Sequence, residues 1–335
     1  MRIAYLVEDT SPSGGHRVVI AHGDLLSERG HDAVLVTKGE RLGWRSTRAI
    51  WRHVDRFDEV EGEQFDFVVG TFWTTLDAAF RLGGSERGVH LCQGYEGAFT
   101  AYRQIRPEIE AAYRLPLPKI TVSPHLEELC RGFNEDVECV GQVVDPEFYQ
   151  ERTHRGAGRP RVLLVGPAQI DFKGIDVGYR AVRHARELGA AFDLVRASQW
   201  PPDHDEPVEL ASEFHVGLDT AGIARLIGGA DIFLGPSRQA EGFGLPAAEA
   251  MASGVATLLT RIPSFLSWND GGDHALFVDE DDWLRMSEGL VRLLSDAPFR
   301  QQLSERGRVV AEQFRGDRLA SRLEAYFERR QTSMR

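Results

Sequence analysis

Two glutamates, Glu241 and Glu249, flank the stretch Gly242-Phe-Gly-Leu-Pro-Ala-Ala248, and this segment carries more chemistry than any other in the chain. Ahead of it, the apolar run Ile232-Phe233-Leu234 ends in Gly235-Pro236-Ser237; behind it stands Ala250-Met251-Ala252-Ser253-Gly254. That order predicts a buried strand, a glycine-containing loop and a helix opening at Pro246. Proline suits a first helical position because the N–H it lacks would have no partner there. Glu241 then lies on the loop, and Glu249 sits about one turn inside the helix. Gly242 and Gly244 have no side chains, so the free N–H groups of the helix start can face an anion closely. Two carboxylates beside an anion cradle suit a ligand that is both polyhydroxylated and phosphorylated. Such a ligand is a nucleotide sugar.

The elements that must hold this segment follow from hydrophobic periodicity. Ile3–Val7, Ala33–Thr37, Phe67–Gly70, Val89–Cys92 and Ile120–Ser123 read as buried strands. Between the first two, His16–Arg29 has apolar residues at helical spacing and stops at Gly30. The stretch Arg152–Pro160 is polar, rich in Arg, Gly and Pro, and reads as a linker. The rhythm restarts with Arg161–Gly166, a helix over Ile175–Leu188 and the strand Phe192–Ala197. Further strands are expected at Phe214–Gly217, Ile232–Gly235, Ala256–Thr260 and Ala275–Val278, with a helical tail from Asp281 onward. Alternating strands and helices predict an α/β chain of two Rossmann-like, doubly wound parallel-sheet domains facing a cleft. The expected bounds are 1–155 for an acceptor-side domain and 156–315 for a nucleotide-sugar domain. Residues 316–335 are expected to form a helix packing back on the first domain.

Composition narrows the function classes. The 335 residues suffice for about two domains. A net charge of -12 argues against nucleic-acid binding. Cys92, Cys130 and Cys139 are an odd number without metal-ligand spacing, which fits reduced thiols in a cytoplasmic setting. His16, His22 and His31 show no metal-ligand pattern either, so no metal and no cofactor is expected. The start Met1–Val7 followed by Glu8-Asp9 is too short and acidic for a signal peptide, and no run reaches membrane-span length.

The C-terminal half resembles the retaining glycosyltransferases of family 4, the glycosyl transferases group 1 domain, which have the two-Rossmann GT-B architecture. The resemblance covers Arg161 to about Arg315, through the strand ending in Gly166, Lys173-Gly174, Ala230-Asp231-Ile-Phe-Leu-Gly-Pro-Ser237 and Glu241–Gly254. In the N-terminal half it rests on Ser13-Gly14-Gly15, Glu28–Asp32 and Val144-Asp145-Pro146. By this resemblance Glu249 holds the donor's ribose hydroxyls and Glu241 the hydroxyls of the transferred sugar. Gly242, Phe243, Gly244 and Leu245 meet sugar and diphosphate, with Gly166 and Ser237 beside them. Lys173 lies on the diphosphate, and Gly14 and Gly15 close over it. Preorganised N–H dipoles and a lysine suit the charge that grows on a departing nucleoside diphosphate, without a metal.

Two positions depart from the family pattern. Where an arginine commonly follows the glycine matching Gly166, Pro167 stands, so Arg196 or Arg238 is the expected second phosphate cation. Where the strand Val89–Cys92 usually leads into a histidine, Gln93-Gly94-Tyr95-Glu96 follows, as in the rhamnosyltransferase-like branch. Gln93 can bond a hydroxyl but cannot transfer a proton near neutral pH; His90, in the strand itself, is the alternative. Glu241, Lys173 and Gln93 are thus the expected catalytic set. Arg41, Arg45, Arg48, Arg52 and Arg56 would form a basic stripe on a helix, with Trp44, Trp51 and Val54 adjoining. Such a helix could dock at the inner membrane face near a lipid-linked acceptor; the plainer reading is a packed surface helix.

The function implied is metal-independent, retaining transfer of a hexose or deoxyhexose from a nucleotide-diphosphate sugar to a hydroxyl acceptor, such as a glycan, a lipid-linked glycan or a natural product. The alternatives are an epimerase of the same fold and a non-catalytic sugar-nucleotide-binding protein. A sugar phosphorylase would need a longer chain with a cofactor lysine.

Overall fold

The computed structural model describes residues 1–40, 43–150 and 158–334. Its backbone forms two compact units: Met1–Val143 together with Gly316–Arg335, and Val144–Arg315.

The first unit is built on β1 (Arg2–Val7), α1 (Gly14–Glu28), β2 (Asp32–Thr37), β3 (Ile50–His53), β4 (Phe67–Gly70), α2 (Leu76–Arg87), β5 (Gly88–Cys92), α3 (Arg106–Tyr113), β6 (Lys119–Thr121), α4 (Pro124–Arg131) and β7 (Val137–Cys139). Its seven-stranded sheet has the order β3-β2-β1-β4-β5-β6-β7, and every pairing is parallel. Parallel strands covered on both faces need apolar residues at every position, and β1, β2, β4 and β5 are buried almost throughout. Ser13 caps α1 by accepting the His16 N–H at 3.1 Å. The C-terminal helix Gly316–Ser333 packs against α1. Glu324 receives both Arg29 at 2.6 Å and His31 at 3.2 Å, Phe327 stacks on Phe67, and Arg330 and Arg329 pair with Asp136 and Glu138 of the β7 edge.

The second unit contains β8 (Arg161–Val165), α5 (Ile175–Glu187), β9 (Asp193–Ser198), β10 (Glu213–Val216), α6 (Thr220–Gly228), β11 (Ile232–Gly235), α7 (Leu245–Ala252), β12 (Ala256–Thr260), α8 (Pro263–Leu266), β13 (Leu276–Val278), α9 (Trp283–Ser295) and α10 (Ala297–Ala311). The six strands, all parallel, run β10-β9-β8-β11-β12-β13. In both units the order reverses beside the first strand, between β1 and β4 and between β8 and β11. Loops leaving the carboxyl ends of those strands diverge there and open a ligand crevice. Val144 to Gln150 joins the second unit, ahead of the linker expected at Arg152–Pro160. The Val144 N–H donates to the Phe314 carbonyl, the Tyr149 hydroxyl to the Ala311 carbonyl and the Ser253 hydroxyl to the Phe148 carbonyl. Most of that linker, 152–157, lies outside the described residues.

The basic stripe is a correction. Arg41 lies outside the described residues, and no helix forms from Arg45 to Arg56. Ile50–His53 instead adds β3 in parallel to the free edge of β2, which satisfies backbone groups that the sheet edge would leave open. Arg48 pairs with Glu28, Arg52 with Glu63 and Arg56 with Asp58, while the Trp44 indole N–H donates to the Thr10 carbonyl. The basic amphipathic helix that would dock on a membrane is not built. Among the described residues no helix is long and apolar enough to cross one. Flotation with anionic vesicles is expected to recover no protein, at low or physiological salt; recovery that salt abolishes would contradict the assignment.

Candidate functional site

The site of the second unit is assembled at its strand-order reversal. The loop after β8 runs from Gly166 to Gly174, and the loop after β11 from Pro236 to Gly244. Two features lock them together. The Arg238 N–H donates to the Phe172 carbonyl at 2.7 Å. Gly174, at φ +61°, lies so close to Pro236 that a β-carbon would fall 2.0 Å from its carbonyl oxygen. Lys173 is thereby laid over Gly166, where a β-carbon would stand in ordinary contact with the lysine stem at 3.4 Å.

Lys173 Nζ reaches Glu241 Oε2 at 2.7 Å, and Ser237 Oγ donates to the same oxygen at 3.0 Å. The Ser237 carbonyl in turn accepts the Thr260 hydroxyl, which ties the loop to β12. Glu241 Oε1 takes no donor from the described residues. A carboxylate held by a lysine and a serine through one oxygen presents the other to an incoming hydroxyl, and the lysine stays beside it as a cation. Gly244 follows at φ +84° as the N-cap of α7, and a β-carbon there would meet Phe265 at 2.2 Å. The helix therefore opens at Leu245, with Pro246 in its first turn and buried Glu249 on its second. Phe243 is buried against Trp268 and Phe314, each at 5.2 Å between ring centroids. Gly242 beside it is buried too. Phe243 therefore anchors the loop by its ring and can offer a ligand only its backbone.

The two candidate second cations are both committed. Arg238 gives its guanidinium to Asp281 at 2.8 Å, Asp176 at 3.0 Å and Asp171 at 3.3 Å, and to the Asp171 carbonyl. Three carboxylates around one guanidinium leave no net positive charge for a phosphate. Asp281 is the one described residue other than glycine at positive φ, 61°, a backbone cost held where its carboxylate meets Arg238. Arg196 is fully buried, paired at 2.8 Å with Glu206, whose side chain is shielded from solvent, and bonded to the carbonyls of Leu164 and Ala197. It belongs to the core under the β9 end. Asp171, Asp176 and Asp281 lie far from Arg238 along the chain, so their pairing with it is not visible in the sequence.

In the first unit Gly14 and Gly15 open α1, and Gly15 faces Gln93 at the end of β5. A β-carbon on Gly15 would sit 3.5 Å from Gln93 Oε1. Gln93 Nε2 donates to the Thr71 carbonyl at 3.4 Å, while Oε1 is buried and accepts nothing from the described residues. His90, the alternative, is 1% exposed inside β5, and burial together with the nearby Lys119 charge pushes its pKa well below the ordinary histidine value. It stays neutral in the sheet. A small hollow with room for little more than a water molecule is lined by Val7, Asp9, His16, Val19, Leu35 and Trp51. Among the described residues no His, Cys, Asp and Glu side chains gather into a metal-ligand set.

Residues 207–310 match the family model described as glycosyl transferases group 1, a span that includes Ser237 to Glu249 and excludes Gly166 and Lys173. The chain is 29% identical over 205 residues to the MMP alpha-(1->4)-mannosyltransferase of Mycolicibacterium hassiacum, a match covering 58% of this chain and 49% of that protein. The chain thus spans about half the length of that relative. Among solved structures it is similar to sucrose-phosphate synthase from Thermosynechococcus elongatus, with TM-score 0.77, 15% identity, and coverage of 98% and 99% of the two chains. It is similar also to Anabaena HepE in complex with UDP-glucose, with TM-score 0.76, 12% identity, and coverage of 98% and 99%. By fold the chain is of the GT-B class, two Rossmann-like parallel-sheet units, and over residues 207–310 it is similar to the glycosyl transferases group 1 family.

Proposed function

We propose that the protein is a glycosyltransferase of family 4 type. It moves a hexose or deoxyhexose from a nucleotide-diphosphate sugar to a hydroxyl acceptor (a glycan, lipid-linked glycan or natural product), with retention and without a metal, in the cytoplasm. The observation that carries this reading is the Lys173–Glu241–Ser237 cluster beside the start of α7, at the strand-order reversal of the second unit. The names of the mannosyltransferase relative and of the UDP-glucose complex support the same substrate class.

In this mechanism Glu249 takes the ribose hydroxyls and Glu241 Oε1 a hydroxyl of the transferred sugar. Lys173 and the N–H groups around Gly244 and Leu245 face the diphosphate. As the bond from the anomeric carbon to phosphate oxygen lengthens, negative charge grows on that oxygen, where a fixed cation and fixed dipoles stabilise it without reorganising. The acceptor hydroxyl attacks from the same face, its oxygen bonds the anomeric carbon, and its proton passes to the departing phosphate oxygen. No protein nucleophile is needed, so Glu241 positions the sugar. Gln93 Oε1, buried and unpartnered beside Gly15, offers an acceptor to a substrate hydroxyl.

Thermal-shift screening against UDP-, GDP-, ADP-, TDP- and CDP-sugars is expected to find one donor that raises the melting temperature. Slow hydrolysis of that donor is expected to persist in EDTA and to release the α-anomer from an α-linked sugar. No stabilising donor would overturn the reading. The charge-balanced Arg238 and Pro167 favour one rival, a non-catalytic binding protein. It would show the shift but neither hydrolysis nor transfer.

A further inference from the structure

Beneath Gln93 lies a buried polar cluster that no step above uses. The loop Gln93–Ala98 leaves β5 and crosses the end of α3, where Tyr113 is fully buried. The Tyr113 hydroxyl stands 2.8 Å from the Gly94 carbonyl oxygen and 2.5 Å from Glu96 Oε2. A phenol has one hydrogen to donate and lone pairs that accept. It can satisfy both neighbours only if Glu96 carries a proton and donates to it, leaving the phenol hydrogen for Gly94. If Glu96 is ionised, the phenol hydrogen turns to the carboxylate, because a charged acceptor makes the stronger bond. Gly94 then keeps only the weak Cys92 thiol donor at 3.4 Å.

The surroundings make this exchange accessible. Glu96 is buried, and among the described residues no basic side chain pairs with it. Facing the cluster are His90 and Cys92 from β5, Lys119 from β6, Cys130 from α4 and Tyr113 from α3. Tyr95 of the loop bonds Glu110, which also holds Arg106 and Arg114 on the outer side of α3. The Lys119 ammonium donates to the Leu117 carbonyl, and its pKa is lowered by burial. Burial pushes the Glu96 carboxyl up to about 7, while the Tyr113 phenol is pushed well above its usual range.

We propose that Glu96 and Tyr113 are positioning residues for Gln93: a hydrogen-bond relay, in which protonated Glu96 donates to the Tyr113 hydroxyl and that hydroxyl donates to the Gly94 carbonyl, fixes the loop with the Gln93 amide at Gly15, and loss of the Glu96 proton releases it. Its consequence for activity rests on the sugar-transfer reading, in which Gln93 meets a substrate hydroxyl; the relay itself does not.

The test follows the Gln93 side-chain amide by NMR in protein labelled with [15N]glutamine, the resonance assigned by its absence in Gln93→Ala. In the native chain the resonance is expected to titrate with a midpoint near pH 7. In Glu96→Gln, which donates at every pH, it should stay at the low-pH position, and in Tyr113→Phe it should no longer respond to pH. With the donor found by screening, native kcat/KM should fall about tenfold per pH unit above 7, as one required proton dictates, and stay level in Glu96→Gln. A Gln93 resonance that holds still from pH 5.5 to 8.5 in the folded native protein overturns the proposal, as does one that titrates unchanged in Glu96→Gln. If the resonance behaves as expected but no nucleotide sugar binds or is cleaved, the relay stands and the sugar-transfer reading falls.

Discussion

Glu241→Gln is expected to lower kcat/KM for donor cleavage by roughly 100-fold or more while leaving the second unit folded, in line with removal of a preorganised group from a charge-handling site. The substitution keeps the size and planar shape of the side chain but removes its charge. Lys173, 2.7 Å away and mostly shielded from solvent, loses its partner. The amide can still accept the Ser237 hydroxyl through one atom, but it presents a donor where either the lysine or a sugar hydroxyl needs an acceptor. Glu241→Ala should be no worse in rate than the glutamine variant if the lost charge dominates. Lys173→Ala separates the roles: it should weaken binding of the nucleoside diphosphate alone, which lacks the sugar, whereas Glu241→Gln should not. Calorimetric titration of both variants with diphosphate and with intact donor checks this directly. Full activity in Glu241→Gln would remove the residue from the mechanism.

The largest stability effect is expected at Gly174→Ala. The residue sits at φ +61°, where a β-carbon costs about 1 kcal/mol, and that β-carbon would lie 2.0 Å from the Pro236 carbonyl oxygen, which is backbone and cannot rotate away. The loops after β8 and β11 must part, and the Arg238-to-Phe172 backbone bond goes with them. A loss on the order of 3 kcal/mol follows, or roughly 6–12 °C for a unit of this size. Gly217→Ala is the matched control. Its φ of +63° is nearly the same, but a β-carbon there meets nothing within 4 Å, so only the conformational cost of about 1 kcal/mol remains. Melting curves of the two variants separate overlap from backbone strain; equal shifts would mean that the Pro236 contact is not what fixes the loop.

The strands near the centre of each sheet are legible in the sequence because parallel strands buried on both faces must be apolar throughout, as in Ile3–Val7 and Ile232–Gly235. The edges are not. Ile50–His53 carries arginine, histidine and tryptophan, and Val137–Cys139 places a glutamate between two half-buried neighbours; neither has the alternation or continuity that marks a strand. The Arg45–Arg56 spacing favoured a helix because arginines at intervals of three and four mimic a helical face, but the free edge of β2 decided otherwise. Within the site, Glu241, Lys173 and Ser237 were accessible to sequence reasoning as a motif, and the structure brings all three to one oxygen atom. The partners of Arg238 were not, since Asp171, Asp176 and Asp281 have the ordinary look of solvated carboxylates until the loops fold together. Glu96 and Tyr113 escaped for the same reason: a carboxylate in a polar loop and a tyrosine on an amphipathic helix show no kinship in sequence.

The C-terminal helix sets an order of assembly. Val144 to Arg315 is one continuous stretch and can fold as soon as it has left the ribosome. The first unit is discontinuous: its sheet is synthesised earlier, but the helix that covers α1, Phe67 and the β7 edge follows the second unit. Until Gly316–Ser333 is made, Asp136 and Glu138 at that edge lack Arg330 and Arg329, and Glu324 has yet to reach Arg29 and His31. A nascent chain therefore contains every segment of its second unit before it contains every segment of its first. A lesion in the eighteen residues of that helix would be felt at α1 and the β7 edge, which are synthesised before the second unit.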